Sequence, residues 1–339
     1  MAGQSSGAVT LAQVAKRAGV SMATASKALN ERDQVAVETR QRVLRAAEEL
    51  SFQPNGLARG LISGRSGTVG LLTDELGGRF AIPVLLGVEN ALGNQQMSVL
   101  LCDARGDEIR RKHYIKTLLA RQVDGLIVLG CTNDLRPSLS RDIPVPVVYV
   151  YGDSDDPGDL SIISDDRGGG RMAAEHLVMV GRRAIGHITG EYGYRAARER
   201  AAGLREVLDE HGLSPAGEPL YGDWTQGWGR RAARILMSAH PETDAIFCGS
   251  DQLAIGVADA LHQMGRRIPD DIALVGYDNW EVFAAESRPS LTTVDLNLQN
   301  IGAAAVTHLF AALDGNKMAG VIRHPGRLVI RESTQPRLS

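Results

Sequence analysis

Apolar positions near the start of the chain recur at helical spacing. In residues 10–30, TLAQVAKRAGVSMATASKALN, Thr10 and Gln13 stand three apart as in a capping box, and Leu11, Val14, Ala15 and Ala18 follow at i, i+3, i+4 and i+7. That stripe predicts a short amphipathic helix. Gly19 supplies a left-handed turn residue, Val20 plugs the corner, and Ser21 caps a second helix that turns Ala25, Ala28 and Leu29 inward. A third run, Arg40 to Leu50, offers Val43, Leu44, Ala47 and Leu50 to close a minimal three-helix core. Helix, tight turn, helix is the shape that presents a second helix to a DNA major groove; an unrelated helical hairpin has the same periodicity.

From residue 67 the pattern changes to short β-rich apolar runs: GTVGLL (67–72), SVLLCD (98–103), VDGLIVLG (123–130), PVVYVY (146–151), AIGHITG (184–190), DAIFCGS (244–250) and DIALVGYD (271–278). Helical patterns near 81–93, 107–121, 169–180, 196–211, 226–239, 251–264 and 299–313 separate most of them. Continuous apolar strands alternating with helices predict parallel sheets covered on both faces. The stretch is long for one such sheet, so two lobes are expected. No G-x-G-x-x-G or P-loop spacing follows a strand, which counts against a dinucleotide or NTP enzyme. Gly168-Gly169-Gly170 has no accompanying phosphate-binding Lys and reads as a helix start. Ser63-Gly64-Arg65-Ser66-Gly67 is a linker by composition.

The chain has 339 residues, 43% hydrophobic and 23% charged, which is ordinary globular composition. No window approaches the ~18 uninterrupted apolar residues of a membrane helix, and MAGQSSGAVT lacks a signal-peptide pattern, so a cytoplasmic protein off the membrane is expected. Cys102, Cys131 and Cys248 lie in or beside apolar runs without close Cys or His companions; they read as buried small apolar residues, and neither metal nor cofactor is expected. Residues 1–66 carry nine Lys and Arg against five Asp and Glu, so a +4 head sits on a −7 remainder within the total of −3. A basic head suits phosphate contact, although a solvated surface gives the same count.

In open parallel sheets ligands bind beyond the carboxyl ends of strands. Ser250, Asp251 and Asp278 sit at two such ends. The predicted helix at 196–211 places Arg200 on the face of Ala197, Ala201, Leu204 and Leu208, and an inward guanidinium needs a partner. Asp278 or the hydroxyls of a ligand are candidates, and a structural ion pair between lobes is the alternative.

Thr10, Val14, Ala15, Gly19, Val20, Ser21, Thr24, Ser26, Lys27, Leu29 and Asn30, followed by Glu38-Thr39-Arg40 and Phe52-x-Pro54-Asn55, resemble the opening of the LacI/GalR family of bacterial transcriptional regulators. The resemblance extends over essentially the whole chain. It implies base reading by Met22, Ala23 and Lys27. The first two are apolar and can meet only a thymine methyl, so hydrogen-bonded readout leans on Lys27. Thr10, Ser21, Thr24, Ser26 and Asn30 join the implied DNA contacts, with a buried or capping hydroxyl as the alternative for Thr24 and Ser26. Ala36 departs from the capping Ser usual in the family and should cap the third helix less firmly. Pro54 to Leu61 matches the family's hinge, implied to fold on the operator through Asn55 and Ala58 and to wedge Leu61 into the minor groove. So short a helix containing Gly56 and Gly60 does not support itself, although a plain linker is the alternative.

For the remainder the resemblance implies a periplasmic-binding-protein-like fold with the effector between two lobes. The whole is then an all-α helix-turn-helix head (1–53), a hinge and linker (54–66), and an α/β two-lobed core with parallel sheets (67–339). One lobe would hold about 67–180 plus 298–325, the other about 181–297 plus 326–335. Effector contacts fall on Phe80, Arg200, Trp224, Ser250 and Asp278, with Phe80 also readable as core. Leu129 and Leu298 stand where polar or aromatic residues can occur, and Ser250 replaces an amide, which leaves a non-sugar metabolite open beside a carbohydrate. No leucine heptads close the sequence, and a homodimer on a double-stranded, pseudo-palindromic operator is implied, with repression the family's commoner sign. A transporter's solute-binding protein is the competing class. An enzyme is a third reading, for which no nucleophile motif, metal cluster or phosphate loop speaks.

Overall fold

Residues 9–29, 35–52, 65–93 and 97–335, which the computed structural model describes, belong to two units, one ending at Gly67 and one beginning at Thr68. In the first, helix α1 (Leu11–Ala18) starts on a complete capping box: the Thr10 hydroxyl accepts from Gln13 N, and Gln13 Oε1 accepts from Thr10 N at 2.7 Å. Gly19 ends the helix at φ 65°, a left-handed conformation that a Cβ would strain. Helix α2 (Met22–Leu29) begins with the Ser21 hydroxyl accepting from Thr24 N at 3.1 Å. Helix α3 (Val37–Glu49) starts at Ala36 without a side-chain cap bond, as the sequence predicts. Val14, Ala15, Ala25, Ala28, Val43, Ala46 and Ala47 are buried together, their small side chains letting three short helices approach closely.

Leu44 corrects the sequence reading. It is 48% exposed, and Ala46 takes its place inside. Val43, Ala46, Ala47 and Leu50 form one i, i+3, i+4, i+7 stripe, from which Leu44 lies a quarter turn away. Asn30, Pro54, Asn55, Ala58 and Leu61, and with them the expected hinge, lie outside the described residues.

The second unit alternates strands and helices around two six-stranded sheets. Strands β1 (Thr68–Thr73), β2 (Ser98–Asp103), β3 (Gly125–Leu129), β5 (Val147–Val150), β7 (Leu160–Ser164) and β13 (Gly320–His324) make the first, in the order β13-β7-β5-β3-β1-β2, all parallel. Strands β8 (Ile185–Thr189), β9 (Leu220–Tyr221), β10 (Ala245–Cys248), β11 (Ala273–Tyr277), β12 (Thr292–Asp295) and β14 (Arg327–Val329) make the second, in the order β14-β12-β11-β10-β8-β9; only β14 runs antiparallel. A two-stranded ladder pairs β4 (Leu135–Arg136) with β6 (Asp153–Ser154). The helices are α4 (Ala81–Gly93), α5 (Glu108–Ala120), α6 (Asp166–Met179), α7 (Arg195–Glu210), α8 (Gln226–Ala239), α9 (Asp251–Gln263), the short α10 (Glu281–Ala284) and α11 (Leu298–Leu313). This is the two-lobed α/β core with parallel sheets that the strand and helix alternation predicts.

The seven predicted strands are present, and β4, β6, β7, β9, β12, β13 and β14 were not read from the sequence. β13 exposes alternate residues and lacks a continuous apolar run, β14 is only three residues long, and β4, β6 and β9 are only two. Helix α6 also starts three residues before its predicted onset, because Asp165 caps it by accepting from Gly168 N at 2.9 Å. The glycines belong to its packing: a Cβ at Gly170 would lie 2.3 Å from the Arg200 carbonyl oxygen of α7. This close contact brings the starts of α6 and α7 together. Of the cysteines, Cys248 is buried as expected, whereas Cys102 is half-buried and Cys131 is exposed, since β3 ends at Leu129 and Cys131 lies on the loop beyond. Among the described residues no helix is long and apolar enough to cross a membrane.

Candidate functional site

On the head, the packing of α2 decides which side chains face out. Ala25 and Ala28 are buried against α1 and α3, so Met22, Ala23 and Lys27 share the opposite, exposed face; Met22 is 57% exposed. Ser26 and Thr24 lie half-buried at its margins. Ser21 caps the helix and its hydroxyl lies 2.9 Å from that of Thr24, while Thr10 is engaged in its own capping box. The Thr10 hydroxyl also donates to Gln13 Oε1 at 3.2 Å, and one of the Ser21 and Thr24 hydroxyls donates to the other, so a phosphate contact by Thr10 replaces an existing bond while the Ser21–Thr24 pair keeps one proton to offer. Arg17 pairs with Glu49 at 2.6 Å and ties α1 to α3, although both side chains are more than half exposed and such a pair adds little stability.

In the second unit, a cavity of about 350 Å³ opens beyond the carboxyl ends of strands from both sheets, with Phe80, Asn133, Tyr151, Tyr194, Arg200 and Trp224 in its wall. The Phe80 ring lies 4.6 Å from that of Tyr151, and the Tyr194 ring meets Trp224 edge-on at 5.9 Å. Three of the predicted contacts, Phe80, Arg200 and Trp224, therefore stand at the cavity together.

Arg200 does not pair with Asp278. Its Nε and Nη2 reach Asp166 Oδ1 at 2.9 and 2.7 Å, Nη1 donates to the Gly249 carbonyl at 2.5 Å, and the guanidinium lies 3.7 Å over the Tyr277 ring. The contact of α6 with α7 delivers the first residue of α6 to Arg200. Asn133 completes the group, donating through Nδ2 to Asp166 Oδ2 at 2.6 Å and to Ser164 Oγ, while its own Oδ1 is buried without a partner. Burial works against the charge on Arg200, but the Asp166 carboxylate beside it holds the guanidinium above its ordinary value. Arg200 is thus a fixed cation.

Asp278 follows β11 at φ 101°, a conformation costly for a residue with a side chain and found where surrounding structure over-determines it. Burial pushes its carboxyl up from the ordinary value, and Arg79 Nη2 stands 2.8 Å from Oδ2. Asp251 holds the adjoining loop, accepting from Thr293 Oγ1 at 2.6 Å and from Trp280 N at 2.7 Å; burial, then the nearby Asp278, push its pKa up to about 8.

Two further expectations are corrected. Ser250 caps α9, accepting from Leu253 N at 3.2 Å, and because it is fully buried and outside the cavity wall it does not line the cavity. Leu129 is buried in the sheet core at 1% exposure, because the inner side of β3 packs there, and it says nothing about the effector. Leu298 lines a second cavity, beside α4 and α11. Sequence reasoning missed Arg79, Asn133, Tyr151 and Tyr194. Asn133 and Tyr151 follow the carboxyl ends of β3 and β5, where the rule that singled out Asp278 also applies.

A helix-turn-helix head, and a two-sheet core with a polar and aromatic cavity at its strand ends, define an effector-responsive DNA-binding regulator. Residues 10–55 match the family described as bacterial regulatory proteins, lacI family, and residues 174–334 match the periplasmic binding protein-like domain. The chain is 32% identical to the ribose operon repressor of Halalkalibacterium halodurans over 328 residues, 96% of this chain and 97% of that protein. It is likewise 32% identical to the transcriptional repressor PurR of Aliivibrio salmonicida over 300 residues, 88% and 90% of the two chains. Among solved structures, it is similar to the Lac repressor dimer bound to operator and the anti-inducer ONPF, with 29% identity, 97% and 99% coverage and a TM-score of 0.72. The complex of the regulator CelR with cellobiose gives 31% identity, 96% and 99% coverage and a TM-score of 0.63. The chain belongs to the lacI family of bacterial transcriptional regulators.

Proposed function

We propose that this chain is a cytoplasmic, homodimeric, non-enzymatic repressor of a pseudo-palindromic operator, released or engaged by a small effector in the cavity between its two sheets. The assignment of 1–53 to DNA reading, 54–66 to hinge and linker, and 67–339 to effector binding and dimerisation belongs to the same proposal, with lobes of about 67–180 plus 298–325 and 181–297 plus 326–335. Lys27 supplies hydrogen-bonded base readout, Met22 and Ala23 apolar base contact, and Thr10, Ser21, Thr24 and Ser26 phosphate contact. Asn30, Asn55, Ala58 and Leu61 enter as DNA contacts through the family pattern.

The observation that carries the effector reading is the cavity of about 350 Å³, which sets aromatic rings beside a buried, unpartnered Asn133 Oδ1 and the fixed cation Arg200. Rings offer flat faces to a sugar, and the polar atoms fix its hydroxyls. The relatives named for ribose and cellobiose point the same way. The Phe80–Tyr151 pair serves a planar base equally well, so a non-sugar ring metabolite is the second reading.

Effector and operator are coupled reciprocally: each changes the other's affinity by the same factor. Thermal unfolding of the full chain against D-ribose, cellobiose, hypoxanthine and sugar phosphates tests the reading. A ligand at 100 times its dissociation constant adds about 2.7 kcal/mol. A ligand that shifts unfolding and weakens or strengthens selection of DNA from a random pool is the expected result. A bound ligand that leaves DNA affinity unchanged would sink the coupling.

A further inference from the structure

We propose that Arg79 is a gate across the effector cleft and a determinant of its specificity: it is the resident partner of Asp278, and an effector seated in the cavity of about 350 Å³, whose wall includes Arg79 and lacks Asp278, reaches that carboxylate only by displacing it. The inference rests on the cleft being the effector site. Arg79 lies on the loop that follows β1 of the first sheet, and Asp278 follows β11 of the second. Their 2.8 Å pair therefore bridges the two lobes, with side chains only 17% and 3% exposed. The guanidinium is held by ring faces on both sides of the cleft, 4.7 Å over Phe80 of its own loop and 5.6 Å over Trp280 of the opposite one. Nη1 also reaches Gln252 Oε1 at 3.5 Å.

The bridge stands between two cavities. Arg79 and Phe80 line the inner one of about 350 Å³ and also an outer one of about 790 Å³, in which Asp278, Trp280, Asn297 and Asn300 take part. Arg200 is already committed to Asp166, so Arg79 is the cation that compensates Asp278 at salt-bridge distance. A buried carboxylate left without a partner is costly, and any ligand that moves Arg79 away must bring donors of its own. A compound with adjacent hydroxyls or an amine can do so. One that fills only the inner cavity leaves the bridge in place. The gate thus favours ligands that carry donors as far as Asp278.

The test is a mutant cycle in the full-length chain with Arg79→Met, which keeps the apolar stem on Phe80, Asp278→Asn, and the double variant. Amide hydrogen exchange without ligand is read in peptides covering residues 74–81 and 277–284. Each single substitution is expected to speed exchange several-fold in both loops, including the one not mutated, and the double variant to add nothing further. Changes confined to the mutated loop, or additive in the double variant, overturn the gate. Protection in β3 and β10 monitors folding, and Arg79→Lys, which keeps the charge, should preserve the coupling between the loops. Titration with D-ribose reads specificity: tighter binding to Arg79→Met than to the wild type is expected, including binding that emerges only in the variant. Binding that is weaker, unchanged or absent from both overturns Arg79 as a specificity determinant. Failure of the whole panel in the thermal assay with loop coupling intact would instead refute the effector site and leave the bridge.

Discussion

Arg200→Met separates a ligand-gripping arginine from one that holds the fold. The side chains of Arg200 and Asp166 are 2% and 1% exposed, and removal of the guanidinium leaves a buried carboxylate with only Asn133 Nδ2 and Ser164 Oγ at hand. Breaking a buried pair by deleting one partner costs about 3–5 kcal/mol. The lost bond to Gly249 O and the cation over Tyr277 act in the same direction. For a core of this size the expected fall in Tm is roughly 5–15 °C. Thermal and urea unfolding of the full chain without ligand measure it. Arg200→Met combined with Asp166→Leu should recover much of the loss, since both charges then leave together. A ligand-free loss below about 1 kcal/mol would refute the reasoning, because it would place Arg200 among surface-like pairs despite its burial.

Lys27→Ala should weaken binding to a selected operator and relax preference at one base pair per half-site, by about 1–3 kcal/mol on that pair; a uniform loss across sequences would make Lys27 a phosphate contact. Ala36→Ser should cap α3 and stabilise the head by about 0.5–1 kcal/mol, read as slower amide exchange in the first turn of α3. Asp251 carries a folded pKa near 8, above its ordinary carboxylate value of 3.8, so it binds a proton more readily in the folded chain, and stability falls as pH rises toward 8. His187, pushed down to about 4 by burial, acts with the opposite sign from pH 4 to 6.5 and masks part of that fall. The decline should therefore be plainest from about pH 6.5 to 8, and Asp251→Asn should flatten it in urea titrations; an unchanged slope would remove Asp251 from the account.

The head and the alternating core could be read from the chain because their information is local. A capping box, a left-handed Gly19 and apolar residues at helical spacing specify α1 and α2 without reference to anything distant. The strands that were read are continuous apolar runs, most of them buried on both faces, with β2 half-buried at the edge of its sheet. β13 escaped because its register is set by β7, some 160 residues away, and its own residues alternate between half-buried and exposed. Leu44 failed for a narrower reason: with two apolar residues side by side in α3, only the phase of the whole helix decides which one faces in.

The cleft was partly legible, and its failures have a common cause. Strand ends pointed to Asp278, the apolar face of a helix to Arg200, and the family pattern to Phe80 and Trp224. Sequence position does not predict which charge meets which, because pairing depends on how closely the elements approach. Gly170 lets α6 seat against the backbone of α7, and that contact hands Asp166 to Arg200 before Asp278 can compete. Asp278 then needs another cation, and the loop after β1 provides Arg79. Ser250 went the same way, drawn from the cavity to the start of α9 by an unsatisfied Leu253 N–H. A glycine that reads in sequence as a helix start thus decides the charge pairing of the cleft. Gly170→Ala should accordingly disturb Arg200 and Asp278 together, although neither residue is altered.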